Sequence, residues 1–93
     1  MVKFEWDADK AEINWRRHRV KFETAVRAFV DPFRFEEEDI GASGWENRWR
    51  LIGLAEVNLL VVIYTERSPD GEVIRVISAR KANAADRKKY YNR

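Results

Sequence analysis

The chain has 93 residues, no cysteine and one histidine, and its 18 lysines and arginines nearly balance its 16 aspartates and glutamates. This composition excludes disulfides, thiolate catalysis and cysteine-ligated zinc, and one histidine argues against a transition-metal site built from protein ligands. A hydrophobic fraction of 45% excludes intrinsic disorder. The longest apolar run, residues 59–64, is far shorter than the roughly 20 residues of a membrane span. With no apolar signal segment at the start, we expect one cytoplasmic domain over residues 1–93.

The first half of the chain predicts one strand and two helices. Alternating apolar and polar residues over 2–6 predict a short strand, and Asp7 after it is a candidate helix N-cap. A stripe of side chains at helical spacing from Ala8 to His18 predicts a helix of about three turns. The same spacing begins again at Phe22, and this second helix must end near Val30, because a proline at position 32 pushes residue 31 out of the α region.

The second half of the chain predicts a sheet followed by a helix. A possible strand over 33–37 precedes three stronger ones over 47–55, 58–66 and 72–80. The strand over 58–66 is almost wholly apolar, which is typical of a central strand covered on both faces. Asn83 is a candidate N-cap for a basic helix over 84–92. The predicted fold class is α+β, an antiparallel β-sheet meander with two N-terminal helices and one C-terminal helix.

Short turns allow the register of the last three strands to be predicted. Ala55 is set opposite Asn58, and Glu72 opposite Arg67, across the turn at 68–71. Since neighbouring side chains point to opposite faces of a sheet, one face is apolar and packs against the N-terminal helices, with Arg75 as its misfit. The second face then gathers four arginines and a glutamate, which are Arg48, Arg50, Arg67, Arg80 and Glu46.

The charge distribution favours a polyanionic partner for that second face. Residues 14–30 and 72–93 are net basic, and residues 31–46 are net acidic. A phosphodiester backbone suits a sheet face rich in guanidinium groups. The alternatives are that each arginine only keeps a strand soluble, and that His18 only packs at a helix end.

A set of motifs follows in order along the chain. In the first half they are Phe4-Glu5-Trp6-Asp7, Asn14, Arg17-His18, Val20, Phe22-Glu23-Thr24-Ala25, Phe29 and Asp31-Pro32. In the second half they are Glu46, Arg48, Ile52-Gly53, Thr65-Glu66-Arg67, Arg75, Ile77-Ser78-Ala79-Arg80, Ala82 and Tyr90. Together they resemble the BrnT toxin family over essentially the whole chain. Two features depart from the family pattern: Arg19 stands where glycine is common, and the acidic run over 36–39 is unusually strong.

The resemblance implies a ribonuclease toxin of a type II toxin–antitoxin pair with a RelE-like fold. It also implies a BrnA-like antitoxin, a ribbon-helix-helix DNA-binding protein, as the partner in a hetero-oligomer. The toxin would therefore contact RNA directly and DNA only through the antitoxin, and neither a membrane partner nor a cofactor or metal is expected.

RNA cleavage without a metal needs a base for the 2′-OH, cations for the phosphorane-like charge and a donor for the 5′ oxygen. We assign the cationic role to Arg48, Arg67 and Arg80, and the base to Glu46 or His18. Arg67 and Arg80 lie ~20 Å or more apart at ~3.3 Å per residue, so one of them binds flanking RNA or is structural. Four further residues are expected to bind RNA, namely Arg50, Arg75, Lys81 and Lys88.

Two other functions use the same basic surface. The first is a nucleic-acid-binding module that lacks proton-transfer chemistry. The second is a protein-interaction domain whose basic last helix docks an acidic partner. Cleavage, binding without cleavage, and capture of a protein without RNA binding distinguish the three.

Overall fold

The computed structural model describes residues 1–39 and 47–92. In chain order its elements are β1 (Lys3–Glu5), α1 (Ala8–His18), α2 (Phe22–Ala25), a 3₁₀ helix (Val26–Val30), β2 (Phe35–Glu38), β3 (Trp49–Ala55), β4 (Asn58–Glu66), β5 (Val73–Lys81) and α3 (Ala84–Tyr91). This order matches the predicted one and confirms the α+β class. In the part of the chain so described, no helix is long and apolar enough to cross a membrane.

Capping residues set the helix ends as the sequence predicts. The Asp7 carboxylate accepts the backbone N–H groups of Asp9 and Lys10 at 2.8 and 3.2 Å, which are otherwise unpaired donors of the first turn. After α1, Arg19 adopts a left-handed conformation with φ 56°. The second helix tightens into the 3₁₀ helix before it ends at Val30, as is common at helix C-termini.

The five strands form one mixed sheet in the order β1-β5-β4-β3-β2. Its last four strands are antiparallel neighbours, but β1 pairs with β5 in parallel. The prediction of a purely antiparallel sheet is therefore wrong at this edge. Most of the chain lies between β1 and β5, so no hairpin turn imposes an antiparallel arrangement on them.

The predicted register is correct between β3 and β4 and wrong between β4 and β5. Ala55 lies opposite Asn58 as expected. Between β4 and β5, however, Thr65 of β4 lies opposite Arg75 of β5. The register shifts again at a bulge beside Ile63 and Tyr64 of β4. The turn is one residue longer than assumed, since Arg67 donates its N–H to the carbonyl of Val73 at 2.7 Å. Arg75 thereby leaves the apolar face, where the sequence analysis placed it.

The N-terminal helices pack on the apolar face of the sheet. Phe22, Ala25 and Ala28 meet Leu51 and other buried side chains of β3, β4 and β5 there. The 3₁₀ helix comes so close to β3 that a Cβ on residue 53 would stand 2.7 Å from the Ala28 carbonyl oxygen. Glycine at position 53 is thus a requirement of helix–sheet packing.

The C-terminal helix packs on the opposite face and covers part of it. Tyr90 is buried with Ile52, Leu59 and Val61. Its hydroxyl donates to the Asp31 carboxylate at 2.6 Å, and the same oxygen accepts the N–H of Leu54 at 2.8 Å. The predicted N-cap of α3 is confirmed, because Asn83 and Asp86 form a reciprocal capping box. α3 is thereby fixed against one half of the face.

Candidate nucleic-acid interface

Four arginines lie beyond the residues that α3 covers. Residues directly opposite each other in neighbouring strands share a face of the sheet. Arg50 lies opposite Ile63, Arg75 opposite Thr65 and Arg80 opposite Val61. Arg48 comes one residue before the paired Trp49, level with Thr65. We call this set, Arg48, Arg50, Arg75 and Arg80, the arginine face.

Arg50 is held by acidic side chains of β2 and the residue after it. Its Nη1 donates to Glu37 at 2.8 Å, and its Nη2 donates to Asp39 at 2.7 Å. The same Glu37 oxygen accepts the Lys89 ammonium of α3 at 2.8 Å. The hydrogen bond from Lys89 lowers the pKa of Glu37 against the opposing effect of burial, and Arg50 lowers it further. Part of the acidic run noted in the sequence is therefore the counter-charge of Arg50.

Arg80 is held by the first turn of α3. Its Nη1 donates to the Asp86 carboxylate at 2.6 Å and to the Lys81 carbonyl at 3.2 Å. The same Asp86 oxygen accepts the Asn83 N–H at 2.9 Å. Burial alone would raise the pKa of Asp86, but the hydrogen bonds from Arg80 and from the Asn83 backbone outweigh it and lower that pKa. Within residues 1–39 and 47–92, Nε and Nη2 of Arg80 make no hydrogen bond.

The opposite end of the face is organised by Glu5 of β1. Its carboxylate accepts Arg75 Nη1 at 2.9 Å and lies 3.8 Å from Arg67 Nε. Arg67 follows the end of β4 and is about half exposed. Arg80 lies near the far end of β5, so these two arginines are at opposite ends of the sheet, as expected from the sequence.

The remaining predicted site residues are dispersed. Glu46 falls outside the described residues. His18 ends α1 and lines a pocket with Ser78 instead of lying on the arginine face. Lys81 lies opposite Leu60 and therefore on the apolar face, against which the N-terminal helices pack. Lys88 is an exposed residue of α3. The structure thus places Arg48, Arg50, Arg75 and Arg80 on one face, with Arg67 beside Arg75 at its end, but it separates them from His18 and the two lysines.

Sequence reasoning missed the polar residues that position the arginines. Asp86 stands three residues after Asn83, which is the spacing of a capping box, and this signal was available. Glu37 and Asp39 had no such signal, because their approach to Arg50 depends on how β2 pairs with β3. Thr65 lies opposite Arg75 on the same face and is buried, which was not foreseen. Its hydroxyl has no hydrogen-bond partner within the described residues.

Acidic residues and the single histidine do not converge on a metal-binding arrangement in the described ranges. No group of three or more His, Asp or Glu side chains there could hold a metal ion. Among the described residues, the carboxylates of Glu5, Glu37, Asp39 and Asp86 form ion pairs of 2.6–2.9 Å with Arg75, Arg50 and Arg80.

The fold and the site together define a small α+β protein with a cationic sheet face next to its last helix. The sequence model of the family described as "Ribonuclease toxin, BrnT, of type II toxin-antitoxin system" matches residues 6–86. Because this match spans most of the chain, the chain belongs to the BrnT family of ribonuclease toxins. A comparison with curated proteins gave no match. Membership of a type II toxin–antitoxin family implies a protein antitoxin as partner.

Proposed function

We propose that the chain is a metal-independent endoribonuclease that cuts RNA on the arginine face and so inhibits translation and growth. The observation that carries this proposal is the hydrogen bonding of the Arg80 guanidinium group. One nitrogen of its guanidinium is fixed by Asp86 and the Lys81 carbonyl, and the side chain is 38% exposed. Two further N–H-bearing nitrogens, Nε and Nη2, are left for a phosphate, the ligand whose geometry suits a guanidinium fork.

In the proposed reaction the 2′-OH of the RNA attacks the adjacent phosphorus in line, and the bond to the 5′ oxygen breaks. Arg80 and Arg48 stabilise the charge that develops on the phosphate oxygens. Glu46 or His18 takes the 2′ proton, and a donor on the protein or in solvent protonates the leaving 5′ oxygen. Arg75 and Arg67, at the other end of the face, bind flanking RNA.

Arg50 has a different role in this proposal from the RNA-binding one expected from the sequence. Both terminal nitrogens of its guanidinium are engaged by carboxylates. We therefore assign Arg50 to fixing β2 and α3 around the face. Lys88, on the exposed side of α3, remains available to attract RNA at longer range.

A non-catalytic RNA-binding function is the second candidate, and one observation favours it. Ion pairs with Lys89 and Arg50 lower the pKa of Glu37. Against the effect of burial, the ion pair with Arg80 lowers the pKa of Asp86, and a carboxylate with a lowered pKa is a weak base. In that case the same surface would bind RNA without cutting it.

Incubation of the purified protein with end-labelled RNA in EDTA separates the two candidates. We expect cleavage to persist in EDTA, because the proposed chemistry uses guanidinium groups and side-chain bases alone. The control is the same reaction with added magnesium. Loss of cleavage in EDTA that magnesium restores would overturn the metal-independent mechanism, and binding without cleavage in both buffers would favour the second candidate.

We further propose that a BrnA-like ribbon-helix-helix antitoxin neutralises the toxin by covering the arginine face. An unpaired buried charge costs several kcal/mol, so the covering segment should offer carboxylates or carbonyls to the arginines. Complex formation is expected to protect the amides of residues 46–50 and 74–81 from hydrogen exchange, and RNA and antitoxin should exclude one another. Protection confined to α1 and residues 34–39 would contradict direct occlusion.

A further inference from the structure

We infer that a pocket between α1 and the outer edge of β5 binds a backbone phosphate of the RNA, next to the arginine face. The pocket has a volume of about 140 Å³, several times the ~30 Å³ share of one water molecule in the liquid. This inference rests on the proposed RNA substrate, and it adds a binding site on a different element from the arginines of the sheet.

The pocket exists because β1 is shorter than β5. The pairing of β1 stops at Glu5 opposite Arg75, and the edge of β5 beyond that point is covered by α1. Asn14 of α1 is buried, and its side chain bonds the backbone groups of Ala79 that a neighbouring strand would otherwise bond. It accepts the Ala79 N–H at 3.0 Å and donates to the Ala79 carbonyl at 2.9 Å. These bonds hold α1 at a fixed distance from the strand.

Three basic side chains of α1 line this pocket, namely Lys10, Arg17 and His18. They are seven and eight residues apart, so they lie on one face of the helix. Within residues 1–39 and 47–92, none of the three makes an ion pair or a side-chain hydrogen bond. The arginines of the sheet are different, because Arg50 and Arg80 are paired with carboxylates. The pocket therefore presents two cationic groups, Lys10 and Arg17, that make no ion pair with the described residues, which favours an anionic ligand.

Ser78 connects the pocket to the arginine face. It lines the pocket, and it lies opposite Ile63, in the same cross-strand row as Arg50. Arg80 is two residues further along β5, about 7 Å away in the strand direction. A single RNA strand can thus contact Arg80 with one phosphate and the pocket with another.

Arg16 and Arg17 form a matched pair for testing this inference. Arg17 lines the pocket, whereas its neighbour Arg16 donates to Glu12 at 3.0 Å, and both residues are exposed. The probe is a 2′-O-methyl RNA oligonucleotide, which lacks the nucleophilic hydroxyl and cannot be cleaved by the proposed reaction. Its affinity for wild type, Arg17→Gln and Arg16→Gln is measured over a series of salt concentrations, with circular dichroism as a check of folding.

We expect Arg17→Gln to bind about fourfold more weakly at 0.15 M salt and to lower the slope of log affinity against log salt by about 0.7, the value for one phosphate contact in a single strand. Lys10→Gln should behave in the same way, and Arg16→Gln should leave affinity and slope close to wild type. Equal effects of Arg16→Gln and Arg17→Gln would overturn the inference. So would an effect of Arg17→Gln on antitoxin binding but not on RNA binding.

Cleavage of unmodified RNA, measured on the same three proteins, distinguishes this inference from the proposed function. If wild type cleaves RNA and the two variants bind the probe equally well, the phosphate site in the pocket is overturned and the ribonuclease proposal is supported. Binding that depends on Arg17 without cleavage supports the pocket and overturns the ribonuclease proposal. Absence of RNA binding by wild type overturns both.

Discussion

Arg80 and Arg50 show how two identical side chains on one sheet face come to have different chemistry. Both terminal nitrogens of Arg50 donate to Glu37 and Asp39, whereas Arg80 donates through one nitrogen, and its other two make no hydrogen bond to the described residues. We propose that the number of engaged nitrogens, which no sequence pattern reveals, decides which of these arginines binds a phosphate.

Replacement of Arg80 or Arg48 by alanine is expected to abolish growth inhibition upon expression. Removal of one guanidinium aimed at the transition-state phosphate should cost ~2–4 kcal/mol of stabilisation, or about 30- to 1,000-fold in cleavage rate. Growth arrest in cells and cleavage of labelled RNA in vitro measure the effect.

The matched control for these variants is Arg87→Ala, which removes an arginine from the exposed side of α3. It should leave cleavage close to wild type. The role assigned to the face would be wrong if Arg80→Ala and Arg48→Ala both kept the wild-type circular dichroism spectrum and still arrested growth.

At the level of elements, the sequence predicts best where local chemistry decides. The N-caps Asp7 and Asn83 and the end of the second helix before Pro32 were all foreseen, because capping and proline geometry act over a few residues. The pairing of β3 with β4 was foreseen for the same reason, since a two-residue turn between Ala55 and Asn58 leaves little freedom in register.

The register between β4 and β5 was not predicted in this way. The turn at 68–71, in which the side chains of Ser68 and Asp70 accept backbone N–H groups, is one residue longer than predicted, and this difference moves Arg75 from the apolar face to the arginine face. Two of the expected site arginines were nonetheless placed on the correct face. Arg48 follows from the β3–β4 register, and Arg80 follows because two successive shifts of one residue return the later side chains of β5 to the predicted face.

Asn14 is the residue on which the contact between α1 and β5 depends most. Its side chain bonds both backbone groups of Ala79 and also the Val20 carbonyl at 3.0 Å. Asn14→Ala would leave three buried backbone groups unpaired, at ~1–3 kcal/mol each. We expect the free energy of unfolding to fall by about 3 kcal/mol or more, measured by urea denaturation. Ile13→Ala, at the half-exposed neighbour, should cost much less, and similar losses for the two variants would contradict this role.

For the whole molecule, the ion pairs around α3 predict how stability depends on pH. The pKa values of Glu37 and Asp86 are lowered in the folded protein from ordinary values of 4.5 and 3.8. Their contribution to stability is therefore fully present above those ordinary values and is lost as pH falls through the lowered ones. We expect the urea midpoint to change little between pH 6 and 7 on account of these groups, and to fall steeply below about pH 4.

The variants Glu37→Gln and Asp86→Asn test whether these two carboxylates cause that acid loss. Each should be less stable than wild type at neutral pH and should lose less stability between pH 5 and pH 3, because the group that titrates has been removed. An acid loss as large as that of wild type in both variants would assign the effect to other carboxylates.

The parallel pairing of β1 with β5 also fixes when the molecule can become active during its synthesis. Arg75 and Glu5 are 70 residues apart in the chain, and at about 5–20 residues per second a ribosome needs roughly 4–14 s to make the stretch between them. β1 can pair with β5 only after β5 has been synthesised. The arginines of β5 therefore join those of β3 only when translation is nearly complete. If cleavage takes place on the arginine face as proposed, a nascent chain cannot cut RNA until its synthesis is nearly complete, and an antitoxin that binds this face has that interval before its binding surface exists.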